Sequence, residues 1–179
     1  MDKIALIGKA GSGKDYVAEH LVFHCGFQRF AFADELKKVA FQLFPEAFSN
    51  GQKPRKLLQE LGQKMRELDE EVWIRALMRQ LKHKKPERVV VTDVRQTNEY
   101  IALMRAGFVM VKIDARDEVR LERLNRRGDR FTLDDLNHET ERIIDSLPAD
   151  YIFTNNGNGE DDILERMRWL VAGGDIDGC

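Results

Sequence analysis

Ile4-Ala-Leu-Ile7 followed by Gly8-Lys-Ala-Gly-Ser-Gly-Lys14-Asp15, and then by the helical run Tyr16–His24, is the stretch that decides the fold. Four apolar residues in a row read as a strand buried on both faces, and a glycine-rich turn carries it directly into a helix. Gly8, Gly11 and Gly13 let backbone N–H groups turn inward around an anion, and the helix N-terminus adds the positive end of its dipole. Lys9, Ala10 and Ser12 complete the cradle, Lys14 would reach the β- and γ-phosphates of a bound nucleotide, and Tyr16 opens the helix beside it. Strand, loop and helix in this order are the context a phosphate-binding loop requires. Asp15 stands where Ser or Thr normally follows the lysine. Its carboxylate can hold Mg²⁺ directly or through water, or complement the helix dipole as an acidic first-turn residue; the two roles are compatible.

Working outward, β-type apolar runs recur at Phe30–Phe32, Val89–Thr92, Phe108–Ile113 and Tyr151–Thr154, separated by stretches with three- and four-residue apolar spacing. Alternating strands and helices predict an α/β fold with a parallel sheet covered on both faces. Between the second and third strands lies a helical insert, with helices over Asp34–Phe44 and Lys56–Lys82. Asp69-Glu70-Glu71 is a place for the second to break in two, and Pro45 with Ser49-Asn50-Gly51 marks a loop between the helices. The boundaries are a single domain over 1–172, an insert over 34–83 and a flexible tail over 173–179. Trp73 and the Leu/Met stripe of the insert read as core.

Composition narrows the function. The chain has 179 residues, 29 basic against 31 acidic, and a net charge of −2. No overall basic field points to nucleic acid, and an anion site must be local, built from a loop and a few arginines. The longest apolar run, Tyr100–Met104, is five residues, so no membrane span is expected. Two cysteines, Cys25 and Cys179, are too few for a disulfide framework, and no signal-peptide layout precedes the first strand. The expected setting is cytoplasmic.

In open α/β sheets ligands sit beyond the carboxyl ends of the strands. Asp93, after the third strand, is therefore placed to organise Mg²⁺ or the attacking oxygen, and Arg95 to hold an acceptor phosphate. The competing reading makes Asp93 the cap of a helix starting near Gln96, with Glu99 facing solvent. Asp34 and Lys37 stand at the end of the second strand, Asp34 as an N-cap with or without a role in the site. Arg116, Arg120, Arg123 and Arg127 fall on one helical face. A solvated face with Glu–Arg pairs accounts for Arg120 and Arg126. A lid over the γ-phosphate, with a hinge-like exit at Arg126-Arg-Gly-Asp-Arg130, is the reading for Arg123 and Arg127. His20 and His24 read as surface histidines.

The combination resembles the phage-type deoxynucleoside-monophosphate kinases, within the P-loop nucleoside-monophosphate kinases. The resemblance rests on Gly-Lys14-Asp15, Phe32-Ala-Asp-Glu-Leu-Lys37 and Arg55-x3-Gln59-x2-Gly62-x3-Arg66 leading to Trp73. It continues through Thr92-Asp-Val-Arg95-x3-Glu99, His138-Glu-x-Glu141 and Asp150-Tyr-Ile-Phe-Thr-Asn155. It implies a three-layer, adenylate-kinase-like P-loop fold with a five-stranded parallel sheet ordered 2-3-1-4-5. It also implies ATP and Mg²⁺, a monophosphate-binding insert over 34–83 and a lid over 116–130. Arg55, Arg66 and Arg95 would clamp the acceptor phosphate, Gln59 would read the base, and Asp34, Lys37 and Glu99 would complete the acceptor side. Asn155 and Gly157 would touch the adenine, and Arg123 and Arg127 fit the lid pattern Arg-Leu-x-x-Arg. The expected partner is a small phosphorylated acceptor, with the protein a monomer or homodimer. Gly-Lys-Asp is also similar to phosphomevalonate kinases, and other pieces to dephospho-CoA kinases. A nucleotide-dependent switch or ATPase is the reading outside the kinases.

Overall fold

The computed structural model describes residues 1–49, 51, 54–127, 139–157 and 160–173. Asn50, residues 128–130 of the expected lid, His138 and the tail beyond 173 lie outside the described residues. The chain forms two compact units, one of 1–29 with 87–179, the other of 30–86.

The first unit is built on β1 (Lys3–Ile7), β2 (Gln28–Phe30), β3 (Val89–Val91), β4 (Val109–Asp114) and β5 (Tyr151–Thr154), in the order β2-β3-β1-β4-β5. β1 pairs in parallel with β3 (Ala5 opposite Val91) and with β4 (Ala5 opposite Met110), and β4 with β5 (Ile113 opposite Phe153). Val89, Val90 and Val91 are all buried, as in an inner strand covered on both faces. Edge strand β5 buries only Phe153 of its four residues. The core on one side joins Ile4, Leu6 and Val111 of the sheet to Val17 and Leu21 of α1 (Lys14–Cys25) and Met167 of the C-terminal helix, Glu160–Val171.

In the second unit α2 (Phe32–Leu43) leads through a 3₁₀ turn, Pro45–Phe48, to α3 (Arg55–Leu68) and α4 (Val72–Lys84). The expected break comes at Asp69, whose carboxylate accepts the Glu71 N–H at 3.1 Å. Gly62 of α3 sits under Leu36 of α2: a Cβ there would come within 3.1 Å of the leucine methyl. Trp73 closes the bundle, donating from its indole nitrogen to the Gly62 carbonyl at 3.3 Å. α5 (Thr97–Arg105) follows β3, α6 (Asp117–Arg126) follows β4, α7 spans Glu139–Ser146, and Glu160–Val171 is α8.

Three expectations need correction. The second strand ends at Phe30, and Phe32 opens α2. Phe30-Ala-Phe32 alternates like a strand, but Phe32 shares a buried i, i+4, i+8 stripe with Leu36 and Ala40, and that helical face wins. Asp34 is not the N-cap: Ala31 is, and Asp34 lies inside the first turn with its carboxylate 3.4 Å from Lys37. Asp93 does not cap the next helix either. Gln96 does, in a reciprocal capping box with Glu99, which is buried instead of facing solvent.

Candidate active site

The loop from Gly8 to Lys14 takes its shape from what it packs against. Gly11 (φ 78°) and Gly13 (φ 94°) are left-handed, where a side chain is strained. Added Cβ atoms would meet the Arg120 carbonyl oxygen at 2.7 Å and the Asn155 amide nitrogen at 2.1 Å. Gly13 also caps α1, so Lys14 and Asp15 occupy the first helical turn, where donors and dipole favour an anion.

Lys14 is 8% exposed. Burial pushes its ammonium below the usual lysine range; Asp15 opposes that shift, Arg95 adds to it, and Glu141 and Asp93 oppose it. Asp15, Asp93 and Arg95 are thus each within electrostatic reach of Lys14. The Lys14 Nζ lies 3.7 Å from Asp15 Oδ2, a distance that leaves its donors available to a phosphate. Arg95 is exposed, and its backbone N–H donates to Glu99 Oε2 at 2.9 Å, as that of Gln96 does at 3.1 Å. Glu99 therefore fixes the turn that presents Arg95. Asp15 and Asp93 supply the hard oxygen donors that suit Mg²⁺, an ion usually held by one or two carboxylates with substrate phosphates and water.

The arginines of α6 divide by function. Arg123 Nη1 reaches the carbonyls of Gly11 and Ser12 at 3.4 Å and of Asn155 at 3.1 Å, and Nη2 reaches Asn155 Oδ1 at 3.0 Å. The amide nitrogen of Asn155 donates to the Ser12 carbonyl at 3.0 Å. Both side chains hold the outer limb of the loop. Arg126 pairs with Glu122 on an exposed face, as its spacing suggests, and Arg127 is exposed. Arg120 departs from the solvated-face expectation: it is 1% exposed, its face being the one α6 turns to the loop. It binds the Ala10 carbonyl, Asp117 and Glu141. Lys9 points its ammonium at Asp145 of α7, 2.6 Å away. Sequence reasoning missed the acidic pair Glu141 and Asp145 of α7 as loop contacts; their i, i+4 spacing was the available signal.

Ser12 Oγ is buried and has no hydrogen-bond partner among the described residues. In the second unit, Arg55, Gln59, Gly62 and Arg66 recur along one face of α3, with Arg55 and Gln59 exposed and Arg66 half-buried.

A parallel sheet ordered 2-3-1-4-5 with a phosphate loop after its central strand defines a P-loop kinase fold. Two solved structures share it: shikimate kinase from Acinetobacter baumannii in complex with shikimate, and TT1252 from Thermus thermophilus. The first is 17% identical at a TM-score of 0.61, covering 98% of this chain and 96% of that one. The second is 21% identical at 0.59, covering 97% and 98%. Residues 4–145 match the AAA domain family. Over 143 residues, 62% of this chain and 72% of the other, the sequence is 32% identical to a protein of Acanthamoeba polyphaga mimivirus named "Putative deoxynucleotide monophosphate kinase". The chain belongs to the AAA domain family and to the P-loop kinases of the deoxynucleotide monophosphate kinase type. It is a phosphotransferase in the broad sense that these relatives share.

Proposed function

We propose that the chain transfers the γ-phosphoryl group of ATP to the phosphate of a deoxynucleoside or nucleoside monophosphate, giving ADP and the diphosphate. The observation that carries this reading is the buried Lys14 at the head of α1, with Asp93 and Arg95 in its field. The name of the mimivirus relative supports the acceptor class.

The acceptor oxygen is already largely ionised at neutral pH, the second phosphate pKa being about 6. No strong base is needed, and catalysis rests on positioning and charge. In this reading the loop amides and Lys14 bind the β- and γ-phosphates, with Ala10 to Tyr16 as the nucleotide-binding segment. Lys9 serves through its backbone, since its ammonium is engaged by Asp145. Asp15 and Asp93 would hold Mg²⁺, which when bound neutralises phosphate charge. Arg95 steadies the acceptor phosphate from the turn fixed by Glu99. Asp34, Lys37, Arg55, Gln59 and Arg66, in the unit read as the monophosphate-binding insert, recognise the acceptor, the arginines by bidentate contact. Arg123 keeps the loop in register. Arg127, at the end of α6, leads into the segment read as the lid. Asn155 and Gly157 border the adenine, with the Asn155 side chain also bracing Ser12.

ADP release from Mg-ATP, measured against all common ribo- and deoxyribonucleoside monophosphates with dephospho-CoA and phosphomevalonate beside them, tests the proposal. The expected result is strong stimulation by one or a few deoxynucleoside monophosphates. Stimulation only by dephospho-CoA or phosphomevalonate would reassign the acceptor, and a flat response would leave a switch or ATPase.

A further inference from the structure

Ala10 is held at both ends by one ion pair. Its carbonyl accepts from Arg120 Nε at 2.9 Å, and its N–H donates to Glu141 Oε1 at 3.4 Å. The two side chains meet between Arg120 Nη2 and Glu141 Oε2 at 2.7 Å, and they are 1% and 5% exposed. Asp117 Oδ1 takes a further Arg120 donor at 2.6 Å. Burying a pair this deeply sacrifices hydration, and an apolar pair of similar volume commonly stabilises a fold as well or better. An apolar pair could not, however, bind both backbone groups of Ala10.

Those two bonds fix the peptide planes on either side of Ala10, and the next residue has little freedom to compensate. A Cβ at Gly11 would lie 2.7 Å from the Arg120 carbonyl oxygen, so the loop rests on the α6 backbone where Arg120 leaves it. A rotation at Ala10 is therefore passed to the peptides of Gly11 to Lys14, whose N–H groups must converge on phosphate oxygens. One turn after Glu141, Asp145 anchors Lys9 from the same helix at 2.6 Å.

We propose that Arg120 and Glu141 are positioning residues: as a pair they lock the Ala10 peptide so that the loop amides and Lys14 are preorganised for the nucleotide triphosphate. The proposal rests on the reading that this loop binds ATP, and it makes no demand on the acceptor.

The test separates positioning from mere support of the fold. Glu141→Gln leaves a buried arginine without its main counter-charge and can unfold the protein. The informative protein is the double variant Arg120→Met with Glu141→Leu, which restores packing without the bonds to Ala10. On the full-length chain, ATP affinity is measured by equilibrium titration and the melting temperature by calorimetry; turnover is measured with whichever monophosphate the wild type uses. The expected result is a folded double variant whose ATP affinity is weakened about tenfold or more, with acceptor KM within about twofold of wild type. A folded double variant that binds ATP as wild type does overturns the proposal. Should the double variant not fold, Arg120→Lys is judged by the same threshold: it keeps a cation beside Glu141 but cannot also serve the Ala10 carbonyl with a guanidinium fork. Failure of every monophosphate with the wild type would refute the acceptor reading while leaving the ATP titration intact.

Discussion

Of the charged residues Lys14, Asp15, Asp93 and Arg95 of the candidate site, Lys14 is the buried one, while Asp15 and Arg95 are exposed. Lys14 holds a cation where water is scarce, so in the proposed reading its attraction for phosphate is strong, and burial already depresses its proton affinity. Lys14→Ala should remain folded, because the residue opens a helix from a loop, and should lose at least about a hundredfold in turnover. Retained turnover in a steady-state assay would contradict its role. Arg123 and Arg126 lie three residues apart and make opposite predictions. Arg126→Ala removes an exposed pair with Glu122 and should change unfolding free energy by less than about 1 kcal/mol, with turnover unchanged. Arg123→Ala removes the bonds to Gly11, Ser12 and Asn155, and should weaken ATP binding measurably in the same titration. ATP binding as in wild type for both variants would show that the loop does not depend on Arg123.

Elements show what the sequence could and could not disclose. β1, the phosphate loop and α1 were legible because one local pattern carries apolar run, glycines and helix together. The break of the insert at Asp69 was legible for the same reason: three acidic residues interrupt an apolar stripe. The second strand was misplaced because Phe30 and Phe32 satisfy a period of two locally, whereas Phe32 answers to Leu36 and Ala40 along α2. The competing reading of Asp93 as a cap fails because Gln96 and Glu99 make the reciprocal capping bonds. Arg120 was read as surface because its pairing with Glu141 spans 21 residues of chain, and no local periodicity reports such a contact. Glu99→Ala removes half of the capping box and the acceptor of the Arg95 N–H. Denaturant melts should show a loss of about 1 kcal/mol. If Arg95 holds the acceptor phosphate, KM for the acceptor should rise more than KM for ATP.

At the scale of the whole molecule, a net charge of −2 comes from 29 basic and 31 acidic residues, and both signs meet at the loop, where Lys9 pairs with Asp145 and Arg120 with Glu141. No helix among the described residues is long and apolar enough to cross a membrane. Stability also has a pH dependence with a definite sign. His20 is buried, contrary to the surface reading, and its Nε2 accepts from Arg168 Nε at 2.9 Å. Burial, then the Arg168 charge, then His24 hold its pKa below the usual histidine value of 6.5. The native state thus disfavours protonated His20, and its contribution to stability is complete above about 6.5 and lost as pH falls through the depressed native value. His20→Gln, which keeps an acceptor for Arg168, should show a smaller fall in melting temperature than wild type between about pH 7.5 and 5.5. Parallel curves would remove His20 from that account.

The proposed reaction passes a phosphoryl group from ATP to a nucleotide phosphate. The most direct measurement is chromatographic quantification of both products after incubation with Mg-ATP and each deoxynucleoside monophosphate. The expected products are ADP and a deoxynucleoside diphosphate in equal amounts, both abolished in Lys14→Ala. ADP accompanied by inorganic phosphate, with no deoxynucleoside diphosphate from any acceptor, would contradict it.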